Sequence, residues 1–181
     1  MLRFVLLGLA VLAASLSALP DGRAEPPADG GEAAHSGDVA GRLLALHNRE
    51  RALAGATPLE WDAGLARAAA AYGAELARRG RLISSPLASR PLQGENLWMG
   101  QQGDQSVDQG IAAWAAEKRL FKPGRFPDVS TTGEWRDVAH YTQMIWPGTS
   151  RVGCALAHAP EKDVLVCYYA PGGNVVGHLM L

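Results

Sequence analysis

The tightest constraint in this chain lies near its end, where two β-rich runs face each other across a short polar interruption. Arg151–His158 and Asp163–Ala170 are rich in Val, Leu, Cys and Tyr, and they flank Ala159-Pro160-Glu161-Lys162. That is the composition and spacing of an antiparallel hairpin. If those four residues form the loop, His158 opposes Asp163 and Cys154 falls directly opposite Cys167. Directly opposed residues of antiparallel strands come close enough for a disulfide. The register therefore predicts a Cys154–Cys167 bridge, with two buried free thiols as the alternative. A chain that keeps a disulfide belongs in an oxidising compartment, outside the cytoplasm.

The N-terminus points the same way. Arg3 precedes the uncharged, largely apolar run Phe4–Leu19, and Pro20, Asp21 and Gly22 follow it. Residues 1–24 read as an export signal, with small residues at Ser15–Ala18 or near Ala24 for cleavage. The run is short for a bilayer span, so an uncleaved anchor is the alternative, and no stable membrane span is expected after cleavage. Residues 25–37, rich in Pro, Gly, Ala and acidic residues, read as a flexible leader. That leaves 38–181 as one folded domain. The chain has 181 residues, 48% of them hydrophobic, and a formal net charge of -1. It has material for one sizeable core, but no basic field for nucleic acid or anionic lipid. A secreted or periplasmic protein is expected.

Helical periodicity fills the middle. Asp38 reads as an N-cap, and Val39, Leu43 and Leu46 give a first helix to about Leu53. Thr57–Trp61 is a short extended connection. Asp62 is a second N-cap, Leu65, Ala69, Tyr72 and Leu76 form a stripe, and Gly80 stands at the C-terminal cap. A Pro- and Ser-rich loop runs from Arg81 to Gly94, and a strand over Glu95–Met99 follows. Ser106-Val107-Asp108-Gln109 has a capping-box pattern opening a third helix, with Val107, Ile111, Trp114 and Lys118 on one face and Glu117 beside it. Asp137 would cap a short fourth helix that Pro147 stops. Helices flanking antiparallel strands make an α+β layered domain.

Glu95, Glu117 and His140 are the residues with chemistry. Glu95 follows a glycine and borders an apolar stretch, Glu117 flanks a buried stripe, and His140 lies in the first turn of a helix between apolar neighbours. Carboxylates and imidazole in one pocket bind divalent metals or move protons. Each also has a structural reading: a solvated helix edge, a loop hydrogen bond, a satisfied core histidine. Trp98, Trp114, Trp135, Tyr141 and Trp146 read mainly as core or pocket wall.

His140-Tyr141-Thr142-Gln143-Met144-Ile145-Trp146, with Gly153-Cys154-Ala155, resembles the first signature of the CAP superfamily, also called SCP-like. Val166-Cys167-Tyr168-Tyr169-Ala170-Pro171-Gly172-Gly173-Asn174 resembles the second. Gly94-Glu95-Asn96-Leu97, Trp114 with Glu117, and His47-Asn48 with Arg51 match in order. The resemblance runs from about His47 to Val176 and points to an exported member of bacterial type. It implies a three-layer α–β–α sandwich with a central antiparallel sheet and a pocket of two histidines and two glutamates. Glu95, Glu117 and His140 take three of those places, and Ser84 stands where the other histidine belongs. His47 belongs to the first-helix motif as a structural hydrogen-bonder. Serine is a poor zinc ligand, so His140, Glu95 and Glu117 would hold a divalent metal such as zinc only weakly.

The expected function is an exported, non-enzymatic binder of a lipid-like or other small amphipathic ligand. Several family members bind sterols or other lipids. Acting on a cell-surface partner is a further possibility. The alternatives are a hydrolase, metal-assisted through Glu95 or Glu117 or serine-dependent through Ser84, and an envelope protein-interaction module.

Overall fold

The computed structural model describes residues 30–180, and side chains from residue 39. The export signal and residues 25–29 of the leader lie outside the described residues. Among the described residues the α-helices are α1 (Gly30–Leu53), α2 (Ala63–Arg79), α3 (Ser106–Ala116) and α4 (Ala139–Met144). The strands are β1 (Glu60–Trp61), β2 (Gly94–Gln101), β3 (Gly124–Arg125), β4 (Arg151–Ala159), β5 (Lys162–Ala170) and β6 (Leu179–Met180).

The hairpin takes the register expected, with Cys154 opposite Cys167 and His158 opposite Asp163. The two cysteines are joined as a disulfide across 4.1 Å between Cα atoms. Its turn is shorter than the four-residue loop: Ala159 pairs with Lys162, leaving Pro160 and Glu161 at the tip, with Glu161 at φ 62°. β2 adds to β5 antiparallel along its whole length, with Glu95 opposite Tyr168. β1 joins β4 in parallel, so the sheet order is β1-β4-β5-β2 and the sheet is mixed at one edge. Asn48 explains that edge: its amide donates to Leu59 O at 3.1 Å and accepts Leu59 N–H at 2.7 Å, delivering the next two residues to β4.

β5 is buried on both faces, and its side chains alternate between them as strand geometry requires. Val164, Val166 and Tyr168 pack with Leu65, Ala69 and Leu76 of α2. Leu165, Cys167 and Tyr169 pack with Leu43, Ile111, Trp114 and Met144 of α1, α3 and α4. Helices on both faces make the three-layer α–β–α sandwich.

Capping follows the sequence for α2 and departs from it elsewhere. Asp62 Oδ1 accepts the N–H groups of Gly64 and Leu65 at 2.8 and 2.9 Å, and Gly80 caps the other end at φ 65°. α1 begins at Gly30 rather than after Asp38, so 30–37 of the expected leader is helical; Glu32, Ala33 and Ala34 are strong helix formers. Ser106 is not the N-cap of α3. Its hydroxyl donates instead to Asp163 Oδ2 at 2.5 Å, tying α3 to the hairpin. A 3-10 turn over Trp135–Val138, capped by Glu134, precedes α4, and Asp137 accepts from Thr132 at 2.7 Å. A long-range bond takes Ser106 away from its cap position, and a local one takes Asp137.

Candidate functional site

Glu117 ends α3 and faces the start of α4. Its Oε2 accepts the backbone N–H of His140 at 2.9 Å and of Tyr141 at 3.0 Å. Its Oε1 lies 2.6 Å from His140 Nδ1. A carboxylate only accepts, so His140 carries its proton on Nδ1, and Nε2 keeps the open lone pair when the ring is neutral. Trp114 stacks on the His140 ring at 6.0 Å and 11°. Glu117 is thereby the N-terminal cap that α4 lacks on its own chain segment.

A buried chain of hydrogen bonds supports this pair. His47 Nδ1 contacts Leu43 O at 2.8 Å and Nε2 contacts the Tyr169 hydroxyl at 2.8 Å. Asn96 Nδ2 donates to that hydroxyl at 3.2 Å and to His140 O at 3.0 Å. Leu43 O needs a donor, so His47 is protonated on Nδ1 and accepts from Tyr169 at Nε2. Burial lowers the His47 pKa to about 4, although its bond to Leu43 opposes the shift. Arg51 lies wholly inside, donating to the carbonyls of Thr57, Met144, Trp146 and Thr149. Burial lowers its pKa to about 10, which leaves it charged at neutral pH. The structural role read for His47 holds, and Arg51 shares it.

Glu95 has different partners. Both its oxygens accept the Ser85 N–H at 3.1 Å, and Arg90 Nη2 stands 3.6 Å from Oε1. Arg90 Nε donates to Ser85 Oγ at 2.8 Å. Asn96 reaches His140, so the next-door Glu95 side chain turns to the other face, beside Tyr168 and Tyr72 of the α2 layer. Burial raises the pKa of both tyrosines, and the Glu95 charge adds to it. The glutamates thus belong to two separate clusters rather than one compact set. Among the described residues, the one trio of His, Cys, Asp or Glu with ligand atoms within 4.8 Å of one another is His47, Cys154 and Cys167. Those two sulfurs are already bonded to each other.

Ser84 is exposed, while its neighbour Ser85 is buried and holds Glu95. Among the described residues Ser84 makes no hydrogen bond to Glu95, Glu117 or His140, so no serine–histidine pair activates it. Ser85 and Arg90 are the residues that sequence reading missed. They sit in an aperiodic loop, and only the paired serines marked the place. Ser106, Asp163 and His158 also meet, but Ser106 donates to the carboxylate rather than to the imidazole. Burial alone would raise the Asp163 pKa; the bonds from Ser106, His158 and the Gly103 N–H outweigh it and hold it low.

The two sequence signatures are stitched together. Gln143 Oε1 accepts the Gly173 N–H at 2.8 Å, and Thr142 Oγ1 donates to Asn174 Oδ1 at 2.7 Å. Gln143 also passes so close to Gly94 that a Cβ there would lie 1.9 Å from it. A family model described as CAP, the cysteine-rich secretory protein family, matches residues 44–169. The chain belongs to the CAP family.

Pathogenesis-related protein 1B of Nicotiana tabacum is 34% identical over 135 residues, covering 74% of this chain and 76% of that protein. GLIPR1-like protein 1 of Bos taurus is 30% identical over 149 residues, covering 72% of this chain and 58% of that protein. Among solved structures, Na-ASP-1 superposes with a TM-score of 0.68 at 24% identity, covering 78% of this chain and 41% of that one. NaASP2, solved with Zn2+, superposes with a TM-score of 0.65 at 24% identity, covering 79% of this chain and 84% of that one.

The donors of this CAP chain do not fit zinc as that ion is usually held, by three or four protein ligands. Both Glu117 oxygens are committed to His140 and Tyr141, Glu95 is committed to Ser85 and Arg90, and Ser84 is neutral and exposed. Of Ser84, Glu95, Glu117 and His140, only His140 keeps an open ligand nitrogen, so one ligand atom remains at the site. Among the described residues, no helix is long and apolar enough to cross a membrane.

Proposed function

We propose that this CAP protein is exported and works as a non-enzymatic, metal-independent binder of a lipid-like or other small amphipathic ligand. One observation carries the reading: the carboxylates that would serve as bases or ligands are spent on backbone N–H groups, on the His140 ring and on an ion pair with Arg90. Such contacts hold a fold rigid and leave no carboxylate oxygen poised to take a substrate proton. The His140–Glu117 pair then acts as an architectural clamp between α3 and α4.

Native mass spectrometry of the full chain, purified without chelator and followed by solvent extraction, tests this. A releasable organic ligand is expected, with equal loading in wild type and His140→Ala. Stoichiometric zinc lost in His140→Ala would overturn the metal-independent reading. Peptidase or esterase turnover abolished by Glu117→Gln would overturn the non-enzymatic one. Empty protein that binds no member of a lipid panel would favour the protein-interaction module.

A further inference from the structure

A histidine and two cysteines meet on the sheet face that carries α1, α3 and α4. The ligand atoms of His47, Cys154 and Cys167 lie within 4.8 Å of one another, and all three residues are buried. While the disulfide is closed the sulfurs are not thiolates, and the thiolate is the metal ligand. Reduction turns the same atoms into a soft donor set.

The frame around the two sulfurs does not depend on the bond between them. Cys154 and Cys167 are directly opposed in a ladder that runs from Arg151 opposite Ala170 to Ala159 opposite Lys162. β2 holds β5 from its other side, with Asn96 opposite Cys167. Two free thiols would therefore still face each other.

His47 is set for the third place. Its Nδ1 contacts Leu43 O at 2.8 Å, and a carbonyl only accepts, so Nδ1 carries the proton and Nε2 the lone pair. A metal-bound imidazole usually gives its other N–H to a carbonyl or carboxylate, which fixes tautomer and ring. Leu43 O already does this. Nε2 now accepts from the Tyr169 hydroxyl at 2.8 Å, and Asn96 Nδ2 donates to the same hydroxyl at 3.2 Å. Releasing Nε2 leaves that oxygen bonded and its proton free to turn to a thiolate, since Tyr169 and Cys167 share one face of β5.

Charge selects the ion. Two thiolates, a neutral imidazole and a dication sum to zero, which a dry core accepts far more readily than a bare pair of thiolates. Zinc takes thiolate sulfur at about 2.3 Å and imidazole nitrogen at about 2.0 Å, and three protein ligands suffice. Those bond lengths place the ligand atoms about 3.5–4 Å apart, inside the span already present.

We infer that His47, Cys154 and Cys167 form a zinc site in the reduced chain, separate from Glu95, Glu117 and His140, and that closing the disulfide expels the ion. A dithiol gives two electrons and two protons to the Cys154–Cys167 bond and becomes a disulfide itself. The two new thiols bind Zn2+ and release two protons. In the other direction the thiolates lose two electrons and join, a disulfide oxidant takes those electrons with two protons, and Zn2+ leaves. The binder reading above concerns the closed disulfide and stands or falls separately.

The full chain, reduced with a phosphine, is titrated with zinc and with cobalt as a coloured substitute. One equivalent is expected to bind, cobalt with a thiolate-to-metal charge-transfer band, and zinc is expected to raise the unfolding midpoint of the reduced chain. The oxidised chain should show neither the band nor the shift. Reduced His140→Ala should bind as wild type does. His47→Gln is expected to weaken binding at least about tenfold, as the loss of even an outer-shell partner does. Ring NMR of wild type makes the same check without a variant: His47 Nε2 should shift on zinc binding while Nδ1 keeps its proton. Reduced wild type that binds no zinc, or that stays unfolded in its presence, would overturn the site. So would an unmoved His47 ring, full affinity in His47→Gln, or binding lost in His140→Ala, which would place the ion elsewhere. A band that persists in the oxidised chain would sink the redox gate.

Discussion

His47 sits without solvent exposure between Leu43 O and the Tyr169 hydroxyl, and burial holds its pKa near 4, below the ordinary 6.5. Between those values the unfolded chain takes up a proton that the folded chain refuses. The stabilising difference is therefore complete above about pH 6.5 and is lost as pH falls through 4, amounting to about 3 kcal/mol. Urea unfolding of wild type and His47→Gln between pH 4 and pH 8 checks this. The wild type is expected to lose more stability on acidification than the variant across that window; equal slopes would remove His47 as the source. Its motif marked this residue as structural. Ser85 and Arg90 had no comparable signal, because a partner ten residues away along an aperiodic loop leaves no period to read.

The helices differ in how local their ends are. α2 was legible from Asp62 to Gly80 because its stripe and both caps lie within one segment. α4 was misread at its start because its cap, Glu117, lies 23 residues upstream of His140. The local cap pattern at Ser106 is overruled by a bond to Asp163 that forms only once α3 meets the hairpin, and Asp137 is held instead by Thr132 within its own loop. Removing the Glu117 carboxylate leaves two N–H groups and the His140 ring without their acceptor. Glu117→Ala is expected to cost about 1–3 kcal/mol in chemical denaturation, and Glu117→Gln less, since an amide oxygen still accepts. An alanine variant within about 0.5 kcal/mol of wild type would show that water replaces the cap.

At the scale of the whole molecule, the hairpin register and the disulfide could be read from sequence, whereas the two-faced burial of β5, the parallel edge β1 and the pairing of β3 with β6 could not. The β1 and β3–β6 pairings are two-residue contacts with no periodicity of their own. The distance between layers was likewise hidden, and Gly153 sets it. A Cβ on Gly153 would lie 2.3 Å from Ala66 N and 2.5 Å from Asp62 O, both backbone atoms at the start of α2. No rotamer relieves such a clash; β4 and α2 must separate, and the cluster around Leu65, Val164 and Val166 opens with them. Gly153→Ala is expected to cost about 3 kcal/mol or more. Gly41, an exposed residue of α1 with nothing within 4 Å of its would-be Cβ, supplies the control. Gly41→Ala is expected to stabilise the chain by about 0.5–1 kcal/mol, through helix propensity and a less disordered unfolded state. Thermal unfolding of the two variants beside wild type should move their midpoints in opposite directions. A Gly153→Ala midpoint at or above that of wild type would mean that the α2 layer is free to shift, and that the close approach does not set the sandwich.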